Sequence, residues 1–109
     1  MPLVVVDAEN VRRSIWPNVS RDELIRRARA WAAAEGHDLL IVFDGQPPAE
    51  AADLVGAPSA DDEIVRRAES LDRPFWVATS DRELRVRLGE RPERIVGGGT
   101  FVRLLPRDV

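Results

Sequence analysis

Leu3-Val4-Val5-Val6-Asp7-Ala8-Glu9-Asn10 opens the chain after Met1-Pro2. Four apolar residues in succession, three of them β-branched, read as a strand buried on both faces, the pattern of a parallel sheet covered by helices. The run stops abruptly at Asp7, and a second acid and an amide follow. Ligands of open parallel sheets sit beyond the carboxyl ends of the strands. An acid at that place is a candidate for metal or substrate chemistry; the structural alternative is that Asp7 caps a loop and Asn10 makes a turn.

The arrangement recurs. Leu39-Leu40-Ile41-Val42-Phe43 ends in Asp44-Gly45, and Phe75-Trp76-Val77-Ala78 runs into Thr79-Ser80-Asp81. Ser20-Arg21-Asp22-Glu23 has the form of a capping box and starts a helix with Leu24, Ile25, Ala28, Trp31 and Ala32 on its inner face, closed by Gly36. Its arginines read as a solvated face. Ser59 to Ile64 opens a second helix, with Ile64, Val65, Ala68 and Leu71 inward. Ser80 and Glu83 form a capping box for a third, with Leu84 and Leu88 inward and Gly89 as its stop.

Between these elements, Val11 to Asn18 reads as a loop. Gln46 to Ser59, rich in Pro, Ala and Gly, reads as another, with at most a turn of helix over Ala49 to Leu54. Arg94-Ile95-Val96 is a short strand, Gly97-Gly98-Gly99 a flexible turn, and Thr100 to Leu105 a last strand or helical turn. Strand and helix alternate without internal repeat or linker. The expected fold is α/β: one domain over residues 1–109, a central parallel sheet of four to five strands between helical layers.

Composition narrows the chemistry. All 16 basic residues are Arg, which rules out a GK[ST] phosphate loop and Schiff-base catalysis. The single histidine, His37, has no partner for metal-free RNA cleavage by an acid–base pair. Without Cys there is neither a disulfide framework nor a thiolate metal site. No apolar run approaches a membrane span, and the N-terminus lacks an export signal, so a cytoplasmic location is expected. A net charge of −3 means that nucleic-acid binding would need local Arg clusters or bound cations.

Asp7, Asp44 and Asp81 each follow an apolar strand, and Asp61 and Asp62 begin a helix leaving the same sheet edge. Carboxylates in a first helical turn favour the helix dipole, but three consecutive acids (Asp61 to Glu63) exceed that need. A pocket of such acids offers hard oxygen ligands suited to Mg²⁺ or Mn²⁺ and to phosphoryl chemistry with an activated water. Asn10 could hold a ligand water or a phosphate oxygen. Ser80 could do likewise or cap its helix.

Asp7-x-x-Asn10 after the first strand, Ala60-Asp61-Asp62-Glu63-Ile64 opening a helix, and Ala78-Thr79-Ser80-Asp81-Arg82-Glu83-Leu84 after a later strand resemble the NYN domains of the PIN-like nuclease superfamily. Phe43-Asp44-Gly45 resembles its YacP-like bacterial branch. The resemblance implies a three-layer PIN-like (Rossmann-like) fold and Mg²⁺- or Mn²⁺-dependent ribonuclease activity on single-stranded RNA. Asp7, Asn10, Asp61, Asp62 and Asp81 match the family's acidic constellation, and Asp44 matches an acid common in the branch. In these terms Asp7, Asn10, Asp62 and Asp81 are the catalytic candidates, and Asp7, Asp44, Asp61, Asp62 and Asp81 the metal ligands.

The chain departs from the family's usual Asp-Gly-Tyr/Ser-Asn in carrying Ala8-Glu9, and Gln46 to Ser59 leaves little room for an additional strand. Arg12, Arg13, Arg82 and Arg85 flank the acids and are candidate phosphate clamps, with Ser80 beside them; Trp16 either stacks on a base or tucks onto the helix. Expected partners are RNA (mRNA, rRNA or tRNA) and a ribosome or protein partner, with the chain a monomer or weak homodimer. Competing readings are a non-catalytic RNA- or partner-binding module on the same fold and a haloacid-dehalogenase-like phosphatase. The latter wants an acid two residues after its nucleophile and usually a Lys; Glu9 holds that position and Lys is absent.

Overall fold

The computed structural model describes residues 1–108. Five strands, β1 (Leu3–Asp7), β2 (Asp38–Asp44), β3 (Leu54–Ala57), β4 (Phe75–Ala78) and β5 (Arg94–Val96), form one parallel sheet in the order β3-β2-β1-β4-β5. Helices α1 (Ala8–Arg12), α2 (Arg21–Glu35), α3 (Ala60–Ser70), α4 (Arg82–Leu88) and α5 (Gly98–Leu104) connect or follow them. The chain winds outward from β1 through β2 to β3, then crosses back to β4 on the other side of β1. That reversal makes the carboxyl ends of β1 and β4 the switch point of the sheet.

Alternation along β1 divides the core in two. Val4 and Val6 face a cluster with Leu24, Trp31, Phe43 and Phe101, beneath α1, α2 and α5. Val5 faces the opposite cluster with Val42, Ile64, Val77, Leu84 and Leu88, beneath α3 and α4. Both faces being dry is why the strands are continuous apolar runs. Among the described residues no helix is long and apolar enough to cross a membrane.

Four local expectations are corrected. Residues after Asp7 turn directly into α1, so the loop expected from Val11 begins only after Arg12. The Gln46 to Ser59 segment contains strand β3, paired Ile41↔Leu54 to Asp44↔Ala57, in place of a turn of helix. The link from Gly45 to Asp53 is shorter than an ordinary parallel crossover and carries no helix, so periodicity had nothing to report there. Gly98 and Gly99 belong to α5 with Gly97 as its N-cap, so Thr100 to Leu104 is helical, Leu105 is the extended C-cap, and the triple glycine begins the helix.

Arg27, expected on a solvated face, is 5% exposed. Its guanidinium donates to the carbonyls of Val102, Leu105 and Pro106 and pairs with Glu23, tying the C-terminal segment to α2. The long Arg stem buries while its charged head is fully partnered.

Gly56 lets β3 lie against the Gly45 turn. A Cβ at this position would collide with the Gly45 carbonyl oxygen and with Pro47 Cδ. Gly56→Ala is expected to destabilise the fold by about 1–3 kcal/mol through this overpacking, read from urea denaturation. An unchanged midpoint would show that β3 is not held against the turn.

Candidate active site

The residues after β1 and β4 are tied to one another across the switch point. Thr79, fully buried, donates its hydroxyl to Asp7 Oδ2 at 2.9 Å and accepts from the Asp81 amide at 3.1 Å. The Ser80 amide donates to Asn10 Oδ1 at 2.8 Å, and Ser80 Oγ accepts from the Gly98 amide at 2.8 Å. The ends of β1 and β4 and the start of α5 are thus one hydrogen-bonded unit. Parallel pairing of Val6 with Ala78 brings Asp7 and Thr79 into range.

The caps are assigned differently from the sequence expectation. Asp81, not Ser80, is the N-cap of α4, accepting from the Glu83 amide at 2.9 Å and the Leu84 amide at 3.3 Å. Ser80 instead fastens α5. Asp44 accepts from the Ala60 amide at 2.8 Å, joining β2 to α3. Asp7, Asp44 and Asp81 therefore each use one carboxylate oxygen structurally. The second oxygen of Asp7 and of Asp44 has no hydrogen-bond partner among the described residues, whereas the Asp81 carboxylate also meets the Asp61 carboxyl in a side-chain hydrogen bond.

These ends surround an open cleft of about 510 Å³ lined by Asp7, Asn10, Arg13, Asp44, Asp61, Ser80 and Asp81, with Glu9, Ser14, Pro58 and Ser59. Burial, and then repulsion from Asp61, Asp44 and Asp81, raises Asp7 to about 7 against the hydrogen bond from Thr79. Burial and the charges of Asp81 and Asp44 likewise raise Asp61, against Arg87. No three acidic or histidine side chains among the described residues stand close enough to form a ready-made coordination shell.

Other predicted residues lie elsewhere. Asp62 is exposed and pairs with Arg87 at 2.9 Å, on the side of α3 away from the cleft. In a helix, consecutive residues point about 100° apart, so only Asp61 of the pair reaches inward. Arg12 is packed against Glu9 and has a buried Nε without a partner, so it does not line the cleft. Arg82 and Arg85 are exposed on α4 outside it. Trp16 is 88% exposed, so it does not tuck onto the helix, and it lines a second groove.

Two important residues were missed from sequence. Thr79 is the hydroxyl that positions both Asp7 and Asp81; a Thr two residues before an acid, directly after a strand, was its signal. Glu9 is 6% exposed, accepts hydrogen bonds from Arg12 and Arg21 at 3.2 and 3.0 Å, and forms an ion pair with Arg13 at 3.2 Å. It gathers guanidinium groups beside the acidic cleft, and only Arg13 among them lines that cleft.

The fold is YacP-like. A single-site mutant of Rae1 (YacP) from Bacillus subtilis superposes with a TM-score of 0.77 at 20% identity, over 94% of this chain and 74% of that one. A second Rae1 (YacP) structure from the same organism gives 0.71 at 19% identity, over 94% and 72%. No protein-family model matches the chain, and no curated protein matches it in sequence.

Asp7 gives the site a pH signature. Its native pKa, about 7, lies above the ordinary 3.8, so the folded state retains a proton that the unfolded state loses. The associated stability is fully present below about pH 4 and is lost as pH rises through about 7. Asp7→Asn is expected to remove most of that slope, matching the wild type near pH 4 and exceeding it by about 2–4 kcal/mol at pH 8 without divalent metal. Urea denaturation across this range reads the effect; parallel curves for the two proteins would mean that Asp7 is not a strained charge.

Proposed function

We propose that the chain is a divalent-metal-dependent ribonuclease that hydrolyses phosphodiester bonds of single-stranded RNA. The observation that carries this reading is the pinning of Asp7, Asp44 and Asp81 by one oxygen each around a common cleft. Structural caps alone do not require acids from separate strands to converge, nor a burial that raises Asp7 to about 7. Crowded carboxylates with few counter-charges suit a cation.

The all-oxygen donor set fits Mg²⁺ or Mn²⁺. Mg²⁺ keeps several of its waters and uses one or two carboxylates, so a spread arrangement of acids suits it. Asp7, Asp44, Asp61 and Asp81 are the residues that would hold it; Asp62 is not among them. Such an ion supplies an acidified water and neutralises charge on the phosphate.

The chain's own residues do the rest. Asn10 spends its Oδ1 on the Ser80 amide, which leaves its Nδ2 to donate. It therefore suits a phosphate oxygen and not a metal. Arg13, 63% exposed at the cleft and steered by Glu9, supplies a positive charge for the same phosphate. Thr79 holds Asp7 and the Asp81 loop in register. The fold likeness to Rae1 (YacP) and the NYN-type sequence resemblance support RNA as the substrate and a cytoplasmic setting, with a ribosome or protein partner.

A second reading has an observation in its favour: Asp44 already holds the first amide of α3 and Asp81 caps α4, so a catalytically silent RNA-binding module would retain them. Asp81→Asn separates the readings because Asn caps a helix about as well as Asp. The nuclease reading expects a rate loss of roughly a hundredfold or more with a melting temperature that is not lowered and rises where relief of repulsion from Asp81 counts. It also expects 5′-phosphate and 3′-hydroxyl products, and no cleavage in EDTA. A 2′,3′-cyclic phosphate product, or full activity in EDTA, would overturn it.

A further inference from the structure

Beside the acidic cleft lies a second concavity of about 560 Å³, and its walls come from two distant parts of the chain. One wall is the loop carrying Ile15, Trp16 and Pro17; the other is α5 and the segment after it, carrying Arg103 and Arg107. Arg27, 5% exposed, builds the floor by binding the carbonyls of Val102, Leu105 and Pro106. The segment that bears Arg107 is therefore held in place.

Three features of this groove lack a role in the fold. Trp16 is 88% exposed, although an indole removed from water would stabilise the core substantially. Arg103 and Arg107 are exposed and form no ion pair among the described residues. A flat aromatic face beside unneutralised guanidiniums matches a base and its phosphates, because stacking holds the base and Arg holds the backbone.

The groove adjoins the cleft along the chain. Ser14 lines the cleft and the adjoining Ile15 lines the groove. Gly98 and Gly99 press against this divide: a Cβ on Gly98 would lie 3.0 Å from Ser14 Cβ, and one on Gly99 would lie 3.7 Å from both Ile15 Cγ2 and an Arg103 guanidinium nitrogen. The divide between the two concavities is thus packed against Gly98 and Gly99, with Arg13 lining the cleft on one side and Arg103 the groove on the other.

We propose that the Trp16–Arg103–Arg107 groove is an auxiliary single-strand binding site that grips the nucleotides next to the scissile one. It rests on the ribonuclease reading only for the chemistry of the neighbouring cleft. A base stacks on Trp16 while the flanking phosphates meet Arg103 and Arg107. The grip is indifferent to sequence, since every base has a stacking face.

The test is fluorescence titration of the whole protein in EDTA with an oligouridylate of about twelve nucleotides. With the oligouridylate end-labelled, its fluorescence anisotropy should report binding by the wild type, and Trp16→Ala and the double variant Arg103→Gln/Arg107→Gln should each weaken binding roughly tenfold. In the double variant the slope of log K against log salt should be shallower by about 1.4. All three positions are exposed, so melting temperatures should not move; Trp16→Leu checks that loss of stacking, not loss of bulk, is responsible.

Equal binding by wild type and variants overturns the proposal. So does absent binding by the wild type, or equal affinity for an RNA duplex. Cleavage in Mg²⁺ is read separately: binding at the groove with no cleavage would remove the ribonuclease reading and leave the groove, whereas cleavage with variant-independent binding would do the reverse.

Discussion

The hydrogen bond from Thr79 to Asp7, 2.9 Å long and wholly buried, is the joint on which the arrangement depends. It exists because β1 and β4 pair in parallel register across the reversal of the winding order, with Val6 opposite Ala78. The same hydroxyl accepts from the Asp81 amide, and the preceding amide, of Ser80, donates to Asn10. Losing Thr79 would leave a buried carboxylate with one fewer donor and an unsatisfied backbone N–H, which together cost more than either bond contributes alone.

Around that joint the structure keeps two charge systems apart. On one side, acids from β1, β2, α3 and the β4–α4 loop converge with little neutralisation, and the resulting repulsion appears in the raised Asp7 and Asp61. On the other, Glu9 collects Arg12, Arg13 and Arg21, so a locally positive edge borders the acidic floor. A phosphate approaching a chain of net charge −3 needs such an edge, since the overall field is against it. Arg29 pairs with Asp53 outside the cleft, and Arg87, paired with Asp62, partly offsets the repulsion at Asp61.

The arginine-rich composition has a second consequence. A lysine could not replace Arg27, whose fork donates to a row of C-terminal carbonyls and to Glu23 at once. A chain of 109 residues has little core to spare, and this guanidinium fastens the last segment where apolar burial alone is thin.

By itself the sequence determined the alternation of buried strands and amphipathic helices, hence the parallel three-layer sheet, because apolar period and capping chemistry are local properties of the chain. It also determined that Asp7, Asp44 and Asp81 stand at strand ends. Only the tertiary structure decided which of them meet. Asp61 faces the cleft and Asp62 does not, because the rotation of α3 is set by Ile64 and Ala68 packing under the sheet. Ser80 gave up its expected cap to Asp81 because the Gly98 amide, 18 residues away in sequence, required an acceptor. β3 was invisible for a related reason: four residues at a sheet edge bury too little to show a period, and their pairing with β2 is defined by the neighbour, not by the segment. Exposure of Trp16 and burial of Arg27 likewise depend on where α5 comes to rest, a long-range outcome that no local pattern encodes.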